Sequence, residues 1–215
     1  MAAAGGNGTS ADATSDTSVV VRPATTDDAA RAAALHSEQI ADGFLSRLGP
    51  RFLTRLYRRV CRTDNSFLLV AEHSGRIVGF VAGSVDTRRL FAGFLARDGA
   101  AAVLGSAWPL LSSWRQVIET LRRGRGESGH AADGELLAIA VDPALQGRGV
   151  GRRLVDALLA EMDRRGAGTV AVVVGADNTP ALSLYGSSGF APVQRFELHR
   201  GTASVELHHA GRTPA

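Results

Sequence analysis

The sequence of 215 residues contains no lysine, so all 24 of its basic side chains are arginine. Without an ε-amino group the chain cannot form a phosphate-loop site of the GxxxxGK[ST] type, a Schiff-base enzyme or a lysine general base. Arginine titrates far above lysine, and a net charge of only +3 therefore gives a sequence pI near 9.9. The high pI reflects arginine composition and does not predict a nucleic-acid partner.

Cysteine and long apolar runs are also scarce. The single cysteine, Cys61, excludes an internal disulfide and a cysteine-cluster metal site, which predicts a cytoplasmic protein without a metal. No apolar run approaches the roughly 18 residues of a membrane span, so no membrane partner is expected. The 45% of hydrophobic and 21% of charged residues are typical of one soluble globular domain, acting as a monomer or homodimer.

Composition along the chain predicts one folded domain between two disordered termini. Residues 1–18 mix small and polar side chains without an apolar centre, which indicates a disordered tail and not a signal peptide. Residues 19–210 are predicted to form a single domain, and residues 211–215 a frayed C-terminus. Within the domain, about residues 86–134 break the strand rhythm and show helix-like apolar spacing, which predicts a helical insertion packed on the body.

Hydrophobic periodicity predicts the order of strands and helices. Two buried strands flank an amphipathic helix at residues 135–174, so these three elements should form one right-handed parallel crossover. The predicted strands cover residues 19–22, 67–71, 77–83, 135–141, 169–174, 193–199 and 203–208. The first predicted helix begins near residues 25–28 and ends at about residue 42. The other predicted helices cover residues 50–62, 90–103, 108–121, 152–165 and 180–187.

A glycine turn, Gln146-Gly-Arg-Gly-Val-Gly-Arg152, lies between the predicted strand and helix of that crossover. Its alternate glycines allow a ligand close to the backbone, and the first N–H groups of the helix lack partners at the positive end of the dipole. The turn is therefore a candidate phosphate cradle, with Arg148 and Arg152 as sources of charge-assisted hydrogen bonds. A dinucleotide GxGxxG fingerprint is excluded because position 152 is arginine. Taken alone, the turn is equally compatible with glycines that only pack the strand on the helix.

A second motif follows the glycine turn and changes its interpretation. It reads Asn178-Thr-Pro-Ala-Leu-Ser-Leu-Tyr-Gly-Ser-Ser-Gly-Phe190, after Gln-x-x-Gly-x-Gly at residues 146–151. In this order and spacing the two motifs resemble the acetyl-CoA signatures of the GNAT superfamily of N-acetyltransferases, over about residues 135–190. The resemblance implies an α/β fold with a mixed, mostly antiparallel sheet, a central parallel strand-helix-strand unit and helices on both faces. The insertion at 86–134 does not belong to the common core of that superfamily.

The resemblance implies that acetyl-CoA is the cosubstrate and that the acetyl group passes directly to a primary amine in a ternary complex. It also implies that the backbone of the cofactor strand binds the pantetheine arm, with a main-chain N–H near Val141 facing the thioester oxygen. The cofactor contacts expected from the motifs are Ile139, Ala140, Val141, Gln146, Gly147, Arg148, Gly149, Val150, Gly151, Arg152 and Asn178.

Two side chains are candidate catalytic groups by the same resemblance. An alkyl ammonium titrates near 10.4, so the acceptor must lose a proton before it attacks, and Glu135 is at the place of the superfamily's general base. Tyr185 is at the place of the phenol that protonates the departing thiolate. Each residue also has an alternative without a catalytic or binding role. Glu135 would then be an exposed glutamate after a loop, Tyr185 a tyrosine that only fills the core, and Asn178 a helix cap without a ligand.

The acceptor itself is predicted less closely than the cofactor. Ribosomal-protein N-terminal acetyltransferases carry a glutamate at the position of Val173, a departure that disfavours this branch. We therefore expect a small-molecule amine such as an amino sugar, bound between about residues 39–50 and the insertion. The aromatic residues of the insertion either line the acceptor site or form a hydrophobic core within the insertion. The alternatives are a protein or peptide acceptor, or an acyl-CoA-binding module without catalysis. The six histidines, among them His36, are predicted to be surface or turn residues.

Overall fold

The computed structural model describes residues 18–40, 45–103, 132–198 and 202–211, and within these ranges it contains seven strands and five helices. The strands are β1 Val20–Pro23, β2 Ser66–His73, β3 Arg76–Ser84, β4 Gly134–Val141, β5 Thr169–Gly175, β6 Ala191–Leu198 and β7 Thr202–Ala210. The helices are α1 Ala29–Gln39, α2 Pro50–Arg62, α3 Thr87–Val103, α4 Val150–Arg164 and α5 Thr179–Ser187, and the short 3-10 segments are Ser46–Leu48 and Pro143–Leu145.

The strands form one mixed sheet in the order β1-β2-β3-β4-β5-β7-β6. All neighbours are antiparallel except β4 and β5, which are parallel and joined through α4. The predicted strand-helix-strand crossover and the mixed, mostly antiparallel α/β fold are therefore confirmed. The C-terminal strand β7 enters the sheet between β5 and β6, a placement that the sequence pattern did not give.

Apolar side chains divide into two layers, one on each face of the sheet. Helix α4 buries Leu154, Leu158 and Met162 against one face, where α5 also packs, and α1 and α2 bury Leu35 and Leu53 against the other. Each such side chain contributes about 1.5–3 kcal/mol when it is fully buried. The prediction of helices on both faces is confirmed.

The predicted helical insertion is described only in its first part. Helix α3 covers the predicted helix at 90–103, whereas the predicted helix at 108–121 lies outside the described residues. Most of the predicted N-terminal tail and C-terminal end, residues 1–17 and 212–215, lie outside them as well. No helix among the described residues is long and apolar enough to cross a membrane.

The prediction that His36 is a surface or turn residue is wrong. Its side chain lies in the layer of α1 and α2 and is only 2% exposed. The ring stacks on Phe80 with centroids 6.3 Å apart, and Nδ1 lies 2.6 Å from the hydroxyl of Tyr57. Burial lowers the pKa of His36 to about 4, so the imidazole is neutral at pH 7. Small alanine side chains on the same face of α1, Ala32 and Ala33, leave room for this ring.

Candidate active site

Strands β4 and β5 separate soon after they begin. Their parallel register joins Gly134 to Val170 and Glu135 to Ala171, and no later pair is formed between the described strands. On its other edge β4 continues to pair with β3 as far as Val141. The facing edges of β4 and β5 therefore border a gap that opens toward the carboxyl end of β4.

An irregularity in β4 lies where the gap begins. Opposite β3, Ala138 pairs with Ala82 and Leu136 pairs with Gly83, so Leu137 is an extra residue of β4. A bulge of this kind bends the strand and increases its local twist. We infer that the bulge helps to turn β4 away from β5.

Backbone groups of β4 point into the gap at alternate residues. The N–H of Asp142 donates to the carbonyl of Val78 on β3, at 2.7 Å. Successive residues of a strand direct their hydrogen-bonding groups to opposite edges. The N–H of Ala140 therefore faces β3, as that of Asp142 does, and the N–H groups of Ile139 and Val141 face the gap. This free edge can accept an extended ligand in the manner of an added strand.

The glycine turn has the conformation of an anion cradle. Gly147 and Gly149 have φ values of +72° and +79°, a region that favours glycine. Gly149 is the N-cap of α4, and the first hydrogen bond of the helix runs from the Arg153 N–H to the Gly149 carbonyl. The N–H groups of Val150, Gly151 and Arg152 thus have no partner within the helix, and they lie at its positive end.

The side chains predicted to assist the cradle have different surroundings. Arg148 is exposed beside the turn. The Arg152 guanidinium donates to Asp156 at 2.8 Å and to the carbonyl of Ser187 at 2.7 Å, so it joins α4 to the end of α5. Gln146 donates through Nε2 to the carbonyl of Val141 at 3.0 Å, which links the turn to the end of β4.

Asn178 caps the helix that carries Tyr185. Its Oδ1 accepts a hydrogen bond from the N–H of Ala181 at 3.1 Å, as expected for an N-cap asparagine. Tyr185 is 4% exposed and packs against Phe190, with ring centroids 5.6 Å apart. Burial raises the pKa of Tyr185 well above 10, so its phenol remains protonated at neutral pH.

Glu135 lies on β4 at the narrow end of the gap. Its neighbours Gly134 and Leu136 face Met162 and the α4 layer, so its own side chain faces the opposite side of the sheet. There the carboxylate accepts a hydrogen bond from the hydroxyl of Thr87 at the start of α3. Glu135 also borders a cavity of about 120 Å³ between the end of β3 and the start of β4. The Glu135 side chain is therefore hydrogen-bonded and half-buried, unlike the exposed glutamate of the alternative interpretation.

Two supports of the site were missed in the sequence. Asp142 accepts a hydrogen bond from the N–H of Ala144 at 3.1 Å and so caps the 3-10 turn that leads into the cradle. The Asp142-Pro143 pair carries the pattern of a cap followed by proline at the first position, which could have revealed this role. The hydrogen bond from Thr87 to Glu135 joins residues 48 positions apart, and no local pattern predicts it.

Known proteins resemble this chain in fold and, over part of its length, in sequence. The ribosomal-protein-S18-alanine N-acetyltransferase from Escherichia coli has a TM-score of 0.61 at 17% identity, covering 92% of this chain and 97% of that one. The protein yncA from Salmonella typhimurium, solved with its cofactor acetyl-CoA, has a TM-score of 0.58 at 16% identity, covering 92% and 96%. At these identities the likeness shows the fold alone.

Relatives in sequence include mycothiol acetyltransferases. That of Geodermatophilus obscurus is 40% identical over 97 residues, or 45% of this chain and 28% of that protein. That of Beutenbergia cavernae is 46% identical over 63 residues, or 29% of this chain and 21% of that protein. The chain thus spans less than a third of the length of these relatives. The profile of the acetyltransferase (GNAT) family matches residues 33–190, and the chain belongs to this family.

Proposed function

We propose that this protein transfers the acetyl group of acetyl-CoA to a primary amine of a small molecule, by direct attack in a ternary complex. The observation that carries the proposal is the gap between β4 and β5, which ends at a glycine turn with free N–H groups. A free strand edge next to an anion cradle suits a ligand with a pyrophosphate and an amide-containing arm. The mycothiol acetyltransferases named above support a small-molecule acceptor.

In the proposed complex the cradle binds the pyrophosphate through the N–H groups of Val150, Gly151 and Arg152. Gly147 and Gly149 hold the turn open, and Arg148 adds a fixed positive charge at its rim. Arg152 acts through its backbone, because its guanidinium is bound to Asp156 and Ser187. Asn178 shapes the site as the cap of α5.

The gap positions the rest of the cosubstrate along β4. The N–H groups of Ile139 and Val141 bind the pantetheine arm, and we assign the N–H of Val141 to the thioester oxygen, where a fixed donor stabilises developing negative charge. Ala140, whose N–H faces β3, buries its side chain in the layer of α1 and α2 and so holds the strand beside the arm. Acetyl-CoA supplies the activated acetyl group, and no described residue of the chain needs to form a covalent bond with it.

Tyr185 and Glu135 handle the protons in this proposal. The protonated phenol of Tyr185 donates to the departing thiolate. Glu135, on the face of the sheet opposite α4, takes a proton from the amine through intervening water molecules. The single free thiol, Cys61, is compatible with a reducing cytoplasm, where we expect the enzyme to act.

A screen of small amines, amino sugars and N-terminal peptides, with thiol release from acetyl-CoA as the readout, tests the proposal. We expect turnover with small amines in preference to peptides. Turnover with peptides alone would support a protein acceptor instead. Binding of acetyl-CoA without any turnover would favour an acyl-CoA-binding module and contradict the proposed enzyme.

Two substitutions test the proton transfers. Tyr185→Phe should lower kcat about 10²-fold or more, as loss of a general acid does, whereas Tyr57→Phe removes a buried hydroxyl in the other layer and should leave kcat near the wild-type value. Glu135→Gln should lower kcat and change the pH–rate profile, with Glu197→Gln on β6 as the exposed control. Full activity of Tyr185→Phe, or an unchanged profile in Glu135→Gln, would remove that residue from the mechanism.

A further inference from the structure

The described sheet ends in two outer strands, and β6 is the longer of them. β1 spans four residues, Val20–Pro23, whereas β6 spans eight, Ala191–Leu198. β6 pairs with β7 on one edge, and no described strand pairs with its other edge. A row of unpaired N–H and carbonyl groups on such an edge is a template for a strand of another chain.

The backbone hydrogen bonds of β7 show which of its residues bond to each neighbouring strand. The Ala203 carbonyl accepts a hydrogen bond from the N–H of Ala176, the residue after β5, at 2.9 Å. Ala203 therefore directs its backbone groups toward β5. Because these directions alternate along a strand, Ser204 directs its own groups toward β6.

The outward-directed groups of β6 follow from this alternation. Phe196 is the register partner of Ser204, so its N–H and carbonyl bond to β7. The residues on either side of it, Arg195 and Glu197, consequently direct their N–H and carbonyl groups to the outer edge. Both of these side chains are exposed, and no hydrogen bond or ion pair joins them to another residue of the described chain.

The outer edge of β6 is complementary in charge to a second copy of itself. When two copies pair antiparallel about a two-fold axis at Phe196, Arg195 of each copy lies opposite Glu197 of the other. Both residues direct their backbone groups outward, as a hydrogen-bonded strand pair requires. Two pairs of opposite charge then lie directly across the contact, an arrangement that stabilises antiparallel strands.

The neighbouring registers lack this match. A two-fold axis at Arg195 would place the two Arg195 side chains opposite each other, and an axis at Glu197 would do the same for the two glutamates. Like charges at directly opposed positions destabilise a strand pair. An axis between two residues would oppose an outward-directed group to one that bonds β7, so the hydrogen-bond ladder could not form. Among these registers, charge and backbone direction select the one centred on Phe196.

Phe196 adds apolar area at the centre of this contact. On the axis it meets its own copy at a position without hydrogen bonds between the strands, where opposed side chains approach most closely. The ring is half-buried in the single chain, so part of it is available to a partner. Val193, on the same strand, is 46% exposed and adds to the apolar surface. Aromatic pairs across two strands stabilise the pairing further.

We propose that a second copy of this chain binds along the outer edge of β6, in a symmetric homodimer whose two sheets are continuous. Backbone hydrogen bonds join the strands, the pairs of Arg195 with Glu197 set the register, and Phe196 supplies an apolar contact. β5 and β7 separate β6 from the gap beside β4. The inference is therefore independent of the proposed acetyl transfer.

Sedimentation equilibrium of the full chain, over a range of protein concentrations, tests the inference. The wild type should form a dimer with twice the 22.5 kDa mass of the chain. Arg195→Glu opposes two carboxylates in both pairs, and it should raise the dissociation constant of the dimer about tenfold or more. Arg51→Glu makes the same change of charge on α2, which packs near β2, and this control should keep the wild-type dissociation constant.

Charge reversal at both positions distinguishes the proposed register from a general loss of stability. Glu197→Arg alone should weaken the dimer as Arg195→Glu does. The double variant, Arg195→Glu with Glu197→Arg, opposes unlike charges again and should regain the dimer. An equimolar mixture of the two single variants also opposes unlike charges in both pairs, so it should form a heterodimer. A misfolded chain would not be recovered by mixing.

Several results would overturn the inference. A wild type that stays monomeric up to its solubility limit contradicts a second copy as the occupant of this edge. A dimer that neither single variant weakens has its interface elsewhere. Single variants that remain monomeric after mixing contradict the pairing about Phe196. Should a single variant fail to fold, the double variant decides, since a dimer supports the pairing and a monomer contradicts it.

Discussion

The buried histidine of the α1 layer makes the stability of this protein depend on pH. His36 is enclosed by Tyr57 and Phe80, and its Nε2 is buried without a hydrogen-bond partner. A protonated ring would carry a charge into this apolar layer, where burial lowers the pKa of His36 from 6.5 to about 4. The folded state therefore resists a proton that the unfolded chain accepts.

The sign and size of the effect follow from the two pKa values. Above pH 6.5 His36 is neutral in both states, and its full contribution to stability is present. As the pH falls below 6.5 the unfolded state binds the proton first, so the free energy of unfolding decreases until the pH reaches about 4. At 1.36 kcal/mol for each pH unit, the loss over this interval is about 3 kcal/mol.

Urea unfolding of the wild type and of His36→Gln, at several pH values between 7 and 4, measures this contribution. Glutamine can still accept the hydrogen bond of Tyr57, but it does not titrate. We expect the free energy difference between the two proteins to change by about 3 kcal/mol across the interval. Tyr57→Phe, the control, should lose about 0.5–1.5 kcal/mol at pH 7 and keep the wild-type pH dependence.

Parallel stability curves would refute a lowered pKa for His36. If the wild type and His36→Gln lose stability equally between pH 6.5 and 4, His36 does not resist protonation in the folded state. The difference between the two proteins is the informative quantity, because carboxylates titrate in both. Asp28, whose pKa is lowered to about 2 chiefly by its hydrogen bond to Arg22, loses its contribution only at more acidic pH, and it does so in both proteins.

Glycine substitutions provide two further predictions. Gly149→Ala forces an alanine to φ +79° in open space, so it should cost about 1–2 kcal/mol of stability and weaken CoA binding in calorimetry. Gly186 lies in an exposed part of a helix and has no positive φ, so Gly186→Ala should bind CoA normally and gain about 0.5–1 kcal/mol of stability. Equal CoA affinity in the two variants would contradict the proposed cradle. Gly83→Ala places a Cβ 2.6 Å from Phe67 and 2.8 Å from Met162, and thermal unfolding should show a loss of about 1–3 kcal/mol. An unchanged melting temperature would show that this contact relaxes freely.

Local patterns in the sequence predicted the elements that carry the proposed cosubstrate site. Helix α2 was predicted at its observed bounds, because proline begins it and an apolar stripe continues to Val60. The glycine turn and the cap at Asn178 depend on neighbouring residues only, and the structure has the strand-turn-helix arrangement that the motifs imply. Whether these residues bind acetyl-CoA remains a prediction.

Long-range pairing was the part that the sequence could not supply. The position of β7 between β5 and β6 depends on contacts between distant residues, and no local pattern predicts it. His36 was misassigned because polarity alone suggests exposure, whereas its partner Tyr57 lies 21 residues away. The divergence of β4 from β5 likewise depends on a bulge relative to β3.

Calorimetric titration of the purified chain with acetyl-CoA tests the central claim most directly. The gap between β4 and β5 and the free N–H groups at the start of α4 predict saturable binding at one site. The heat of binding should be strongly reduced in Gly149→Ala and retained in Gly186→Ala. An absence of binding by the wild-type protein would contradict the account.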